Sequence, residues 1–173
     1  IKSLVINNGV KIVSKESKKI FSSNSIDLLC VGRLDPLKGH LYLIKAIKLL
    51  SKKYSEVNIN LKIFGESNNE TYKKFLKSQI NKLSLEKLIS FEGFSNDKER
   101  IYESNQIFVL PTPAIEGNNM AILEALSFGL PSIATNVGGI NDVFQYYDKN
   151  LLASPSSAKS IFECIDYFVS LDK

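Results

Sequence analysis

The chain has 173 residues, 44% of them hydrophobic and 23% charged, with ten Phe and seven Tyr. That content suits one buried core and excludes a disordered chain, and no apolar run approaches the roughly 18 residues that a membrane span needs. The 22 basic and 18 acidic residues leave a net charge of +4, without the clustered basic stripe and interleaved aromatics of a nucleic-acid surface.

Residues 1–9 read as a short strand running into a turn, and 11–25 as a polar connector rich in Lys and Ser. A linker or edge segment is therefore expected over 1–25 and one domain over 26–173. The start at Ile1 rather than Met suggests that a preceding segment has been removed or is not shown. From residue 26 the pattern becomes regular. A strand over 26–31 leads through a glycine-containing loop to a helix over 40–54, with Leu43, Ile47, Leu50 and Tyr54 on one face, and then to a strand over 59–64. A helix over 70–83, a strand over 88–91, a turn at Gly93, a helix over 97–103 and a strand over 106–110 follow. The next helix, over 118–128, is stopped by Gly129 with Pro131 just beyond. A strand over 132–135, a short helix opening at Gly138-Gly139 and an amphipathic helix over 156–171 complete the chain.

Repeated β-then-α units of this length predict an α/β fold: a Rossmann-like parallel sheet with right-handed crossovers and helices on both faces. Ligands in such sheets bind beyond the carboxyl ends of the strands. The loops to search are 32–39, 65–69, 111–119 and 136–141.

The first of these reads Gly32-Arg33-Leu34-Asp35-Pro36-Leu37-Lys38-Gly39. It places two cations at the mouth of a helix whose unpaired N–H groups already favour anions. Arg33 and Arg100 are the two arginines in a chain otherwise served by Lys, and a planar fork donor is what bidentate phosphate contact requires. The loop has neither the Walker pattern nor a GxGxxG turn, which disfavours nucleoside triphosphate and dinucleotide chemistry. Taken alone it reads equally well as a solvated helix start.

The third loop and its helix carry Glu116 and Glu124. With a helix starting near Asn118, Glu124 lies about 9 Å down the axis at about 1.5 Å per residue, while Glu116 stays in the loop. The two do not form a touching pair. Their separation instead suits the two hydroxyl-rich ends of one ligand, since carboxylates accept from neutral diols. Alone, Glu124 reads more readily as an exposed helical glutamate, and Glu116 as an ordinary loop acid.

Gly32-Arg33 with Lys38-Gly39, the Glu116/Glu124 pair, the Gly129-Leu130-Pro131 stop and the run Asn136-Val137-Gly138-Gly139-Ile140-Asn141-Asp142 occur in one order. This ensemble resembles glycosyltransferase family 4, the retaining enzymes of the GT-B fold. The resemblance runs from Asn7-Asn8-Gly9-Val10, similar to the family's interdomain linker, to the end of the chain. It implies the C-terminal, donor-binding half of such an enzyme, with the N-terminal acceptor domain absent and the fragment alone inactive. The substrate implied is a nucleoside diphosphate sugar, used in making cell-surface polysaccharide or glycoconjugates.

Carried over by residue, the resemblance makes Arg33 and Lys38 the binders of the departing diphosphate and puts Glu116 beside the transferred sugar, these three being the catalytic set. Glu124 would hold the ribose. Asn118, Asn119 and Met120 would meet phosphate or sugar, and Gly32, Gly65 and Phe94 would line the nucleotide. The family often has Phe-Gly where this chain has Asn118-Asn119, and Glu where it has Asp142, so donor identity does not transfer. No cofactor and no metal are expected, as no Asp-x-Asp or His cluster is present.

Cys30 and Cys164 lack pairing or metal-like spacing and read as reduced core residues. His40, the single histidine, reads as a helix-start residue rather than a base. No signal peptide is seen, which points to the cytoplasm, with peripheral association of the full-length protein at the inner face of the membrane as a further expectation. The rival readings are half of a sugar-nucleotide epimerase and a non-catalytic nucleotide-binding module.

Overall fold

The computed structural model describes residues 8–13, 25–114, 117, 119–145 and 147–171. Six parallel strands form one sheet: β1 (Ser25–Val31), β2 (Asn58–Phe64), β3 (Ile89–Gly93), β4 (Ile107–Leu110), β5 (Ser132–Thr135) and β6 (Leu152–Ala153). Between and after them run α1 (His40–Lys53), α2 (Glu70–Lys82), α3 (Lys98–Glu103), α4 (Met120–Ser127), α5 (Ile140–Phe144) and α6 (Ala158–Ser170). The strand order is β3-β2-β1-β4-β5-β6, the doubly wound order of Rossmann folds.

The centre of the sheet is made of residues that favour pleated, buried surface. All four residues of β4 and all four of β5 are buried, as parallel strands covered on both faces must be. Leu28 of β1 pairs with Leu61 on one side and Ile107 on the other. Against this face α1 buries Leu43, Ile44, Ile47 and Leu50 without measurable exposure, each contributing about 1.5–3 kcal/mol of hydrophobic stabilisation. Its carboxyl end is tied to α6, where Lys53 pairs with Asp166 at 2.6 Å and the Tyr54 hydroxyl donates to the same carboxylate at 2.8 Å.

Winding reverses between β1 and β4. From β1 the chain steps outward to β2 and β3, and from β4 it steps the opposite way to β5 and β6. Right-handed crossovers then place α1–α2 and α4–α5 on opposite faces. The loops after β1 and β4 leave the sheet side by side at this switch point, where open α/β sheets bind ligands.

The expected elements stand at nearly the expected places, with differences that have local causes. Residues 1–7 of the expected strand and turn over 1–9, and most of the expected connector over 11–25, lie outside the described residues; within the connector, Val13 N–H donates to the Ser127 carbonyl at 3.1 Å, against the end of α4. Helix α4 begins at Met120 rather than 118, because Asn119 serves as its cap and accepts from Ala121 N–H at 2.9 Å. Asn gains more there than inside a helix. At the other end Gly129 is left-handed (φ 68°), Gly129 N–H donates to Leu126 and Leu130 N–H to Ala125, the double closure expected of a Gly stop. Strand β6 was not expected, since two residues carry no alternation to read.

Candidate functional site

The loop after β1 is shaped by its own residues. Asp35 caps a single 3-10 turn over Pro36–Lys38 by accepting from Leu37 N–H at 2.8 Å, and Pro36 supplies the fixed φ of a first helical position. Gly39 then turns left-handed (φ 74°) and starts α1. Arg33 is exposed and Lys38 half-buried, and Lys38 ends the turn that runs through Gly39 into α1.

Two close glycine approaches and a set of hydrogen bonds lock the neighbouring loops together. A Cβ on Gly39 would lie 1.9 Å from the Pro111 carbonyl oxygen, and one on Gly65 (φ 142°) would lie 2.0 Å from that of Gly32. The buried Thr112 hydroxyl donates to the Leu37 carbonyl at 2.8 Å, and the buried Thr135 hydroxyl donates in turn to the Thr112 carbonyl. Gly32 N–H donates to Phe64 at 2.9 Å, Leu34 N–H to Glu66 at 2.9 Å and Gly65 N–H to Gly93 at 2.8 Å. The loops after β1, β2, β3, β4 and β5 are thus one connected rim.

On that rim the structure brings together Gly32 and Gly65, with Phe94 following Gly93 and 67% exposed. A cleft of about 500 Å³ opens beside them, lined by Gly65, Glu66, Ser67, Phe91 and Gly93. Lys38 stands next to Gly39 and hence to the start of the loop after β4. Asn119 caps α4, Met120 is its first residue and 41% exposed. Glu116 and Asn118 lie outside the described residues, so the expected separation of the two glutamates has no counterpart here.

Glu124 is not a free acid on a helix surface. It is 18% exposed, with Lys98 on Oε1 at 2.5 Å and the Tyr102 hydroxyl donating to Oε2 at 2.9 Å. Sequence reasoning missed Lys98 and Tyr102, which lie 26 and 22 residues before Glu124 and meet it only through the packing of α3 against α4.

His40 is the first residue of α1 and has no exposed surface, with neither ring nitrogen hydrogen-bonded. Burial lowers its pKa to about 4, Asp35 countering part of the shift and the Lys38 charge adding to it. It is neutral at ordinary pH and sealed from solvent, which fits a helix-start residue. Cys30 and Cys164 are both buried and unpaired, and burial pushes the Cys30 thiol up to about 12. Among the described residues no helix is long and apolar enough to cross a membrane.

The chain is similar to known proteins in sequence and in fold. An uncharacterized glycosyltransferase of Haemophilus influenzae is 29% identical over 95% of this chain and 46% of its own length. The UDP-Gal:alpha-D-GlcNAc-diphosphoundecaprenol alpha-1,3-galactosyltransferase of Escherichia coli is 32% identical over 82% of this chain and 38% of its own. The chain therefore spans less than half the length of these two relatives. Among solved structures, the C-terminal domain of a glycosyl transferase group 1 family protein from Francisella tularensis superposes with a TM-score of 0.69 at 27% identity, covering 88% of this chain and 78% of that one. The fold is accordingly the Rossmann-like one of the C-terminal half of a GT-B glycosyltransferase. Residues 13–173 match the glycosyl transferases group 1 family, and the chain belongs to that family.

Proposed function

We propose that this chain is the donor-binding half of a retaining glycosyltransferase, which transfers a sugar from a nucleoside diphosphate sugar to an acceptor in the synthesis of cell-surface polysaccharide or glycoconjugates. The observation that carries the reading is the lock at the switch point: Gly39 against Pro111 and Thr112 on Leu37 hold the Arg33/Lys38 loop beside the loop that leads into α4. Two cations and the amino end of a helix there suit a diphosphate.

In this reading Arg33 and Lys38 stabilise the charge that grows on the departing diphosphate, which is where electrostatic stabilisation lowers a barrier most. Glu116 sits beside the transferred sugar. Asn118, Asn119 and Met120 meet sugar or phosphate, Glu124 takes the ribose hydroxyls, and Gly32, Gly65 and Phe94 border the nucleotide. The positive charge is supplied by side chains and helix amides, so the binding step needs no metal. Residues 1–25 act as the linker to an N-terminal acceptor domain. The galactosyltransferase relative's name, with its UDP-Gal donor and diphosphoundecaprenol-linked acceptor, supports a UDP-sugar donor and a lipid-linked acceptor.

The test is a thermal-shift panel of UDP, GDP, CDP and ADP on the chain with and without EDTA. The reading expects a midpoint rise with at least one nucleoside diphosphate, unchanged by EDTA. No rise with any of the four overturns it.

A further inference from the structure

Each oxygen of Glu124 is held by a different donor from α3. Lys98 Nζ lies 2.5 Å from Oε1 and the Tyr102 hydroxyl 2.9 Å from Oε2. The tyrosine is a rigid arm: its ring is buried, stacks on Phe128 at 5.4 Å and tilts against Phe108 at 6.3 Å. The Ala121 carbonyl is also within reach of its hydroxyl, at 3.3 Å, but one proton goes to the nearer and charged acceptor. Burial and the adjacent carboxylate both push the Tyr102 pKa well up, so the hydroxyl remains a donor at any working pH.

A carboxylate has about four lone-pair positions, two on each oxygen. Lys98 and Tyr102 fill one on each. The two that remain belong to different oxygens of a plane that cannot rotate without breaking a bond, and both are acceptors. A neutral vicinal diol, which donates two hydrogen bonds in parallel, is the matching ligand. Lys98 also offsets the carboxylate charge, which otherwise opposes a neighbouring diphosphate.

We propose that Lys98 and Tyr102 are positioning residues that fix the Glu124 carboxylate as a two-point acceptor for the ribose 2′,3′-diol of the donor nucleotide. This rests on the assignment of the ribose to Glu124 above, and the experiment separates the two. UDP and GDP, each beside its 2′,3′-dideoxy form, are titrated calorimetrically into the 173-residue chain and into Tyr102→Phe, Lys98→Met, Lys98→Arg and Glu124→Ala variants. Tyr102→Phe and Lys98→Met are each expected to weaken the bound ribonucleotide about 3- to 10-fold, the usual worth of a hydrogen bond, and to leave its dideoxy form unchanged, with Lys98→Arg restoring most of the loss.

Wild-type affinity in both variants, with the diol preference still lost in Glu124→Ala, overturns the positioning role and leaves the donor assignment standing. Equal losses for ribo and dideoxy ligands make the two residues merely structural and overturn the proposal. A wild-type chain that does not distinguish the diol from the dideoxy form removes the ribose role of Glu124 and the proposal with it. Lys98 is 59% exposed, so its variants fold even where a change at the buried Tyr102 does not.

Discussion

Gly39 and Pro111 meet so closely that a β-carbon at position 39 would sit 1.9 Å from the Pro111 carbonyl oxygen. The contact joins the first turn of α1 to the loop after β4, and only a residue without a side chain makes it. Gly39→Ala must move one loop off the other and also hold a left-handed φ, which alone costs about 1–2 kcal/mol. Urea denaturation is expected to show a loss above about 2 kcal/mol, with nucleotide binding reduced. Gly93 has the same φ of 74° but open space around its Cβ position, so Gly93→Ala serves as the control, losing only the conformational cost. Equal stability of the two variants contradicts the lock.

Arg33 is exposed, so replacing it leaves folding alone and reports on the ligand. Arg33→Ala is expected to weaken nucleoside diphosphate binding by about 1.5–3 kcal/mol, the range for hydrogen bonds to charged groups. Arg33→Lys should recover only part, since an ammonium is a point charge without the planar fork. Calorimetry checks both, and an alanine variant that binds as wild type removes Arg33 from the site.

Thr112 ties the rim from beneath. Its buried hydroxyl donates to the Leu37 carbonyl, while its own carbonyl accepts from Thr135. Thr112→Val keeps the shape and deletes the donor, leaving Leu37 without that bond. The expected cost is about 1–2 kcal/mol in a chemical melt, with weaker diphosphate binding through a loosened Lys38 loop. Unchanged affinity would separate the clamp from the ligand.

His40 makes the fold acid-sensitive. Its pKa in the folded chain is lowered from 6.5 to about 4, so the unfolded state binds a proton first as pH falls. The stability at stake is fully present above about pH 6.5 and is lost as pH falls toward 4. At about pH 5 the loss from this group is about 2 kcal/mol. His40→Met, which also removes two unpaired buried nitrogens, should flatten the dependence of the urea midpoint between about pH 7.5 and 5. A variant as acid-sensitive as wild type contradicts the assignment to His40.

Which parts of this were legible in the sequence follows from range. Helix α1 and the Gly129 stop are written in neighbours three or four residues apart, and both stand where periodicity and end signals put them. The choice of loops at the carboxyl ends of the strands followed from topology rules once the β-then-α alternation was recognised, whereas the strand order that puts the switch point between β1 and β4 came only with the structure. The grip on Glu124 was not legible, because Lys98 and Tyr102 come from another helix and only folding brings them to it. Nor was the Thr112 clamp, whose hydroxyl between two prolines gives no local sign of reaching Leu37. Asn119 was read as part of a phosphate-binding helix start; the structure shows it first as that helix's cap, with its Oδ1 already used on Ala121 N–H. Glu116 and Asn118 fall outside the described residues, so their roles rest on the resemblance.

The most direct measurement is a calorimetric comparison of UDP with inorganic pyrophosphate on the wild-type chain, Arg33→Ala and Glu124→Ala. With the diphosphate at Arg33 and Lys38 and the ribose at Glu124, Arg33→Ala weakens both ligands and Glu124→Ala weakens UDP alone. Equal losses for the two ligands in Glu124→Ala, or none for either in Arg33→Ala, contradict it.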